Sequence, residues 1–323
     1  MASQSTLESR GKDWEKFFKD DKFVKQYKTG EHVTGQFAKS LIDQSGLVGN
    51  SKANPDLPLV VLDNACGTGI VSSILQHELE DHIKSRLKLI CGDISQGMLD
   101  YVNHRIGKEN WQNVEVKTVD VQDSGLPSSY FTHVIASFGE QYFNRAVHPL
   151  VPPLTWDLVR LVFMALPKSL DALDDCSRIL QPGGTIAFAT WIEPGWVSVT
   201  KKAIETIPGN LPFPTPQEFI ESLGTGKWNS VSWIETQLKE RGFEDINVRP
   251  VTKSISIKVP EFVEMNTLLL AMVSKVFWTE KQREEDTDKV RPALQRYLET
   301  TYGKEGDIPM EWTAIISTAR KPN

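Results

Sequence analysis

From residue 59 onward, short apolar runs alternate with segments whose apolar positions recur every three or four residues. The runs LVVLDNA, LKLICGD, VEVKTVD and THVIASF predict strands, and the intervening spacing predicts helices over about 69–86 and 95–106. Short apolar strands joined through helices imply right-handed crossovers and a sheet covered on both faces. The prediction is an α/β, doubly wound sheet. Farther along, SLDALDDCSRIL predicts a helix, QPGG a tight turn, TIAFATW a strand, SWIETQLKERGF a helix and INVRPVTKSISI a strand, with WTAIISTARK as one more strand.

Two regions frame this core. Upstream, WEKFFKDDKFVKQYKTGEHVTGQFAKSLIDQSGL has helical spacing and predicts one or two helices ending near Gly46, before the turn-rich NSKANPDLP. The expected division is an N-terminal helical cap over 1–50 and one domain over 51–323, with insertions at about 139–167 and 260–302. The second insertion reads as a helical pair, PEFVEMNTLLLAMVSKVFW and DTDKVRPALQRYLETTY. Insertions at the carboxyl ends of such strands shape ligand pockets, so both are lid candidates.

Composition narrows the class. At 323 residues and 40% hydrophobic content the chain fits one elaborated soluble domain. A net charge of −6 without a basic stripe argues against a nucleic-acid partner. No apolar run suits a bilayer, and MASQSTLESRGKDWEKFF lacks the apolar centre of a secretory signal, so the expected location is cytoplasmic. Cys66, Cys91 and Cys176 form no CxxC pair and read as reduced thiols. The histidines are scattered, so no metal is expected. Oligomeric state is not legible.

Gly67 and Gly69 follow the first strand and open the first helix, where backbone N–H groups can approach a ligand that a Cβ would hold off. A glycine turn there also serves as a plain tight connection. Asp93 ends the second strand in LICGDIS, where a carboxylate accepts from both hydroxyls of a ribose, or else caps the next helix. Asp120 ends the third in VKTVDVQD, where it accepts from the exocyclic amine of adenine or simply closes a turn. At three successive strand ends, these features line one pocket rim and together read as an adenosine site. ACGTGIVSS lacks the third glycine of a nicotinamide-dinucleotide fingerprint, Asp93 lies farther on than that spacing, and no GK[ST] phosphate loop occurs.

In this order, VLDNACGTG, GDISQGML, TVDVQDSGLP, THVIASFG and RILQPGGTIAFATW closely resemble the class I S-adenosylmethionine-dependent methyltransferases, over residues 59–192. The flanking FVKQYKTGEHVTGQFAKSLIDQSGL resembles fungal enzymes that methylate small natural products. The resemblance implies a seven-stranded Rossmann-like sheet with an antiparallel last strand, S-adenosylmethionine as cofactor and a small-molecule substrate. Carried over by residue, it places Asp63, Ala65, Gly67, Thr68 and Gly69 along the methionine part of the cofactor, and Asp93 on its ribose. Ile94 and Met98 flank the adenine, with Asp120 and Val121 at its edge. Ser137 and Phe138 stand beside the sulfonium and border the substrate. Asn64 and Cys66 depart from the family's usual valine or leucine followed by glycine or alanine. Trp14, Phe17, Phe18 and Tyr27 are the candidate lid over the cofactor.

The implied chemistry is in-line displacement, which alignment in a dry cavity largely supplies. IASFG stands where amide and nucleobase methyltransferases of this fold place an Asn/Asp-Pro-Pro-aromatic motif, and THVIASF lacks the acids of metal-dependent catechol enzymes. A hydroxyl, carboxylate, thiol or amine of a small natural product remains as acceptor. A hydroxyl needs a general base. His32, His133 and His148 qualify by position alone, His133 reading as a core histidine, and no catalytic residue is assigned. The alternative is a methyltransferase-like fold that binds the cofactor without methylating, in a pericyclase or regulatory role. Residues 139–160 admit two readings. One is a substrate loop presenting Tyr142, His148 and Trp156; the other is a retained intron translated in frame, which rests on codon possibilities alone. HPLVPP excludes regular helix or central strand there.

Overall fold

The computed structural model describes residues 21–48, 58–138, 164, 168–224 and 226–323. Its strands are β1 (Leu59–Asn64), β2 (Leu87–Asp93), β3 (Val114–Thr118), β4 (Phe131–Ser137), β5 (Leu180–Glu193), β6 (Glu244–Lys258) and β7 (Asp307–Arg320). They join in one sheet in the order β3-β2-β1-β4-β5-β7-β6. The first five run parallel, and β7 runs antiparallel between β5 and β6. The expected seven-stranded architecture with its antiparallel last strand is therefore present. Strand order reverses around β1 and β4, and an open α/β sheet leaves a crevice at such a switch point, at the carboxyl ends of its strands.

Burial explains the apolar runs. All but the first residue of β1 are buried, and β2 is buried apart from Lys88, as strands covered on both faces require. β6, at the sheet edge, alternates with exposed positions, and an edge strand tolerates Pro250. The QPGG segment expected as a tight turn lies inside β5 as an irregularity: Gly183 has φ 73°, and the β4–β5 register breaks between Phe131 and His133.

Helix α1 (Asp21–Ser45) presents Val33, Phe37 and Leu41, and beside them Thr34, Ala38 and Ile42, at four-residue spacing; all six are buried. It packs on α2 (Ile70–Glu78) and across β4 to β7. Each large apolar side chain it buries contributes roughly 1.5–3 kcal/mol, so tertiary packing rather than propensity holds the helix.

Several boundaries differ from the sequence reading. The helix expected over 69–86 stops at Glu78, because Leu79 turns extended, and one short turn, α3 (Asp81–Lys84), follows. Helix α4 (Gln96–Glu109) runs past 106 to its left-handed cap Asn110. Strand β3 ends at Thr118, which leaves Asp120 in the turn beyond it. Helix α5 (Ser169–Ile179) precedes β5 as expected. The Pro- and Gly-punctuated stretch after β5 holds two helices the spacing did not reveal, α6 (Trp196–Ile204) and α7 (Pro216–Glu221). Helix α8 (Val231–Glu240) leads into β6. Between β6 and β7 lie α9 (Val259–Phe277) and α10 (Glu280–Tyr302); α10 starts ahead of the expected segment, at a capping box of Thr279 and Gln282. Both leave from the carboxyl end of β6, the same edge of the sheet as the switch-point crevice.

Candidate functional site

The chain leaves β1 through a turn with alternating left-handed backbone: Ala65 at φ 53°, Gly67 at 55° and Gly69 at 81°. At Gly69 a Cβ would lie 3.2 Å from the Trp111 ring and 3.3 Å from Val102, so both conformation and space call for glycine. Cys66 N–H donates to Gly92 O at 2.9 Å, and Gly69 N–H to Cys66 O at 2.8 Å. The turn is thus sewn onto the end of β2.

Asp93 is the centre of that seam. Its Oδ2 accepts from Gly67 N–H at 3.0 Å, while Oδ1 accepts from Ser95 N–H at 2.8 Å. The carboxyl is 3% exposed, and burial raises its pKa despite the N–H groups of Ser95, Gly67 and Ile94 that favour the charge. The expected helix cap does not fall on Asp93, which accepts from the N–H of the capping residue instead. Ser95 in turn caps α4, accepting from Met98 N–H. Ile94 leaves 38% of its surface exposed at this tip, whereas Met98 is buried. In the next turn Asp120 accepts from Gln122 N–H at 3.0 Å and Val121 is buried.

Asp63 is fully enclosed. Its Oδ2 accepts from Ser72 N–H at 3.1 Å and from Ser72 Oγ at 2.6 Å, holding the first turn of α2. Burial, the largest influence, pushes its pKa to about 7. The Cys66 thiol donates to Gly67 O at 3.6 Å, and the neighbouring Cys91 thiol together with burial holds the Cys66 pKa well above the ordinary thiol value. All three cysteines are buried and free.

Across the switch point, Ser137 ends β4 with its hydroxyl buried and without a hydrogen-bond partner among the described residues. Phe138 follows at φ 52°, an uncommon conformation for a bulky residue, and lays its ring on Trp191 with centroids 4.0 Å apart. Phe37 of α1 meets both edge-on, at 5.7 and 5.1 Å, and Trp312 of β7 lies 5.4 Å from Trp191. All four rings are buried.

The structure therefore brings Gly67 and Asp93 into contact and sets Asp63, Ala65, Thr68, Gly69, Ile94, Met98, Asp120, Val121 and Ser137 at the carboxyl ends of four neighbouring strands. The side chain of Tyr27 lies outside the described residues, as do Trp14, Phe17, Phe18 and the whole of 139–160 with Tyr142, His148 and Trp156. His133 is a half-buried strand residue whose pKa desolvation lowers to about 4, and His32 is exposed on α1. Among the described residues no group of three or more His, Cys, Asp or Glu is placed to hold a metal, and no helix is long and apolar enough to cross a membrane.

Two residues escaped the sequence reading. Glu31 of α1 accepts from Thr68 Oγ1 at 2.5 Å and from Arg105 Nη1 at 2.8 Å. Arg105 and Glu109 stand four apart on α4, a spacing that signals an ion pair, but nothing local links either to Glu31.

Comparison with known proteins decides the class. A family model described as a methyltransferase domain matches residues 61–151. Methyltransferase tpcH of Aspergillus fumigatus is 39% identical over 308 residues, 95% of this chain and 99% of that protein. The chain belongs to the S-adenosylmethionine-dependent methyltransferases. Acetylaranotin bis-thiomethyltransferase of Aspergillus terreus is likewise 39% identical, over 94% of this chain and 96% of its own length. A putative methyltransferase from Bacillus halodurans superposes with a TM-score of 0.47 at 15% identity, covering 88% of this chain and 99% of that one. For this methyltransferase the methyl donor is S-adenosylmethionine, and the glycine turn with its buried acids stands at the switch point of the sheet.

Proposed function

We propose that the methyltransferase transfers the methyl group to a heteroatom of a small natural product, with thiol ranking first among thiol, hydroxyl, carboxylate and amine. The observation that carries this reading is the Ser137 hydroxyl at the end of β4, next in the chain to Phe138 and buried without a hydrogen-bond partner among the described residues: such a group calls for a ligand. A thiol acceptor is supported by the name of the Aspergillus terreus relative. It is also supported by chemistry, since a thiol ionises without a strong base and His133, its pKa lowered to about 4 by desolvation, is a weak one.

The rim fits the cofactor on its own evidence, because the exposed apolar face of Ile94 between Asp93 and the start of α4 suits a stacked adenine. Asp93 takes the ribose hydroxyls on carboxylate lone pairs that the two backbone N–H groups leave open. Ile94 and Met98 flank the base, with Asp120 and Val121 at its edge. Ala65, Gly67, Thr68 and Gly69 follow the methionine part, and Asp63 supports them from beneath through Ser72. Bound S-adenosylmethionine supplies an electrophilic methyl on a sulfonium. Ser137 orients the acceptor, and the aromatic rings keep water out. In this reading α1 is the cap, α9 and α10 form a lid over the acceptor side, and the enzyme works in the cytoplasm on a small molecule.

Incubation with methyl-labelled S-adenosylmethionine and a panel of small aromatic and dipeptide-derived thiols, phenols, carboxylic acids and amines tests the proposal. Label in a thioether is expected. Label confined to ethers, esters or amines overturns the thiol ranking, and tight binding without transfer to any class favours the non-methylating alternative.

A further inference from the structure

We propose that Glu31 is a positioning residue for the cofactor turn, and that through it the N-terminal helix and cofactor binding are energetically linked. This rests on the cofactor site proposed above. Thr68, between the two glycines of the turn, is held from both ends. Its hydroxyl donates to Glu31 Oε1 at 2.5 Å, and its carbonyl accepts from Arg105 Nη1 at 3.0 Å. The same Nη1 donates to the same Glu31 oxygen at 2.8 Å. Three elements, α1, the turn and α4, thus share one closed set of bonds.

Arg105 is itself braced. Its Nε donates to Glu109 Oε1 at 2.9 Å, and its guanidinium lies 5.2 Å from the Trp111 ring centroid. Trp111 Nε1 donates to Glu109 Oε2 at 2.9 Å. Trp111 is also the ring that a Cβ on Gly69 would strike. The clamp therefore returns to the turn it started from and fixes both sides of the Gly67–Gly69 backbone. Glu31 and Arg105 are mostly buried, at 16% and 10% side-chain exposure, and each carries its charge toward the other rather than toward water. Burial works against the Arg105 charge, yet Glu31 and Glu109 outweigh it and hold its pKa above the ordinary value.

An apolar pair of the same volume stabilises a helix contact as well as a buried ion pair does. What it lacks is direction: only a carboxylate and a guanidinium grip the hydroxyl and the carbonyl of Thr68 at once. That grip sets how the turn's peptide groups face the crevice. By linkage, if α1 tightens cofactor binding through this grip, the cofactor stabilises α1 by the same factor.

Calorimetric titration with S-adenosylhomocysteine, steady-state kinetics and amide exchange, on the full chain, test this in wild type, Glu31→Gln and Thr68→Val. In wild type the ligand is expected to slow exchange in the α1 segment beyond Glu31. Glu31→Gln should weaken binding about tenfold, raise the KM for S-adenosylmethionine more than it lowers kcat, and remove most of the slowing in α1. Adding Thr68→Val to Glu31→Gln should weaken binding by no more than about twofold further, since both remove one link. Fraction folded is read from thermal unfolding without ligand, so a folding loss is separated from lost affinity. The proposal is overturned if Glu31→Gln binds within about twofold of wild type, or if α1 exchange in wild type is indifferent to the ligand. Absence of any binding by wild type overturns the cofactor site itself, and this inference with it.

Discussion

The two sides of the crevice are built by different means. Along the tips of β1 to β3, backbone N–H groups and buried carboxylates do the holding, each pair close to a strand end: Gly67 and Ser95 on Asp93, Ser72 on Asp63. Beside β4, β5 and β7 the packing is aromatic, contributed by the buried rings of Phe37, Phe138, Trp191 and Trp312. Hydrogen bonds carry direction, and apolar burial does not. The difference teaches that the side proposed to meet an adenosyl group of fixed shape is specified atom by atom. The side proposed to meet the acceptor is specified by apolar packing.

The widest separation should come from Trp191→Ala. Truncating this buried ring is expected to cost about 3–5 kcal/mol of stability, measured by denaturant unfolding, while the folded fraction keeps near wild-type affinity for S-adenosylhomocysteine. A parallel collapse of that affinity would mean that the two sides are one construction after all. Asp93→Ala comes next. It removes the proposed ribose acceptor and strands the N–H groups of Gly67 and Ser95, so calorimetry should report about 10- to 100-fold weaker binding, with charge-assisted bonds worth about 1.5–3 kcal/mol each; unchanged affinity would displace the ribose assignment.

How much of this was legible follows the same division. The glycine turn, Asp63, Asp93 and Asp120 stand out in the chain because each sits at the end of a short apolar run, where spacing alone places it on the rim. Glu31 did not, since its partner Arg105 is 74 positions away and an exposed-looking Glu on a helix carries no local mark. Phe138 and Trp191 read as two strand residues; only the left-handed φ of Phe138 turns one ring onto the other. Helices α6 and α7 were hidden by the prolines and glycines that flank them, and the length of β7 by the unremarkable DIPME segment at its start.

A pH series sharpens the comparison within one sheet. Asp63 titrates near pH 7 when folded against 3.8 as its ordinary value, so the folded state binds the extra proton and this stabilising contribution drains away as pH climbs from about 4 to 7. His133 works in the opposite sense: held neutral to about pH 4 against 6.5, it costs stability as pH falls through that window. Measured by chemical denaturation, Asp63→Asn should gain on wild type as pH rises from about 4 to 7, by on the order of 2 kcal/mol. His133→Asn should lose ground over the same range, by less, since its pKa moves a shorter way, from 6.5 to about 4. Parallel curves for wild type and both variants would contradict these environments. The smallest effect belongs to Gly69→Ala. A left-handed φ of 81° and a Cβ contact of 3.2 Å predict about 1 kcal/mol of lost stability and a severalfold loss in cofactor affinity.

The most direct measurement is a crystal structure with S-adenosylhomocysteine bound. The account predicts the ribose hydroxyls on the Asp93 carboxylate, the adenine over Ile94 and near Asp120, and the sulfur facing Ser137. A nucleoside found elsewhere, or Asp93 still bonded to Gly67 and Ser95 alone with the ribose out of reach, would contradict it.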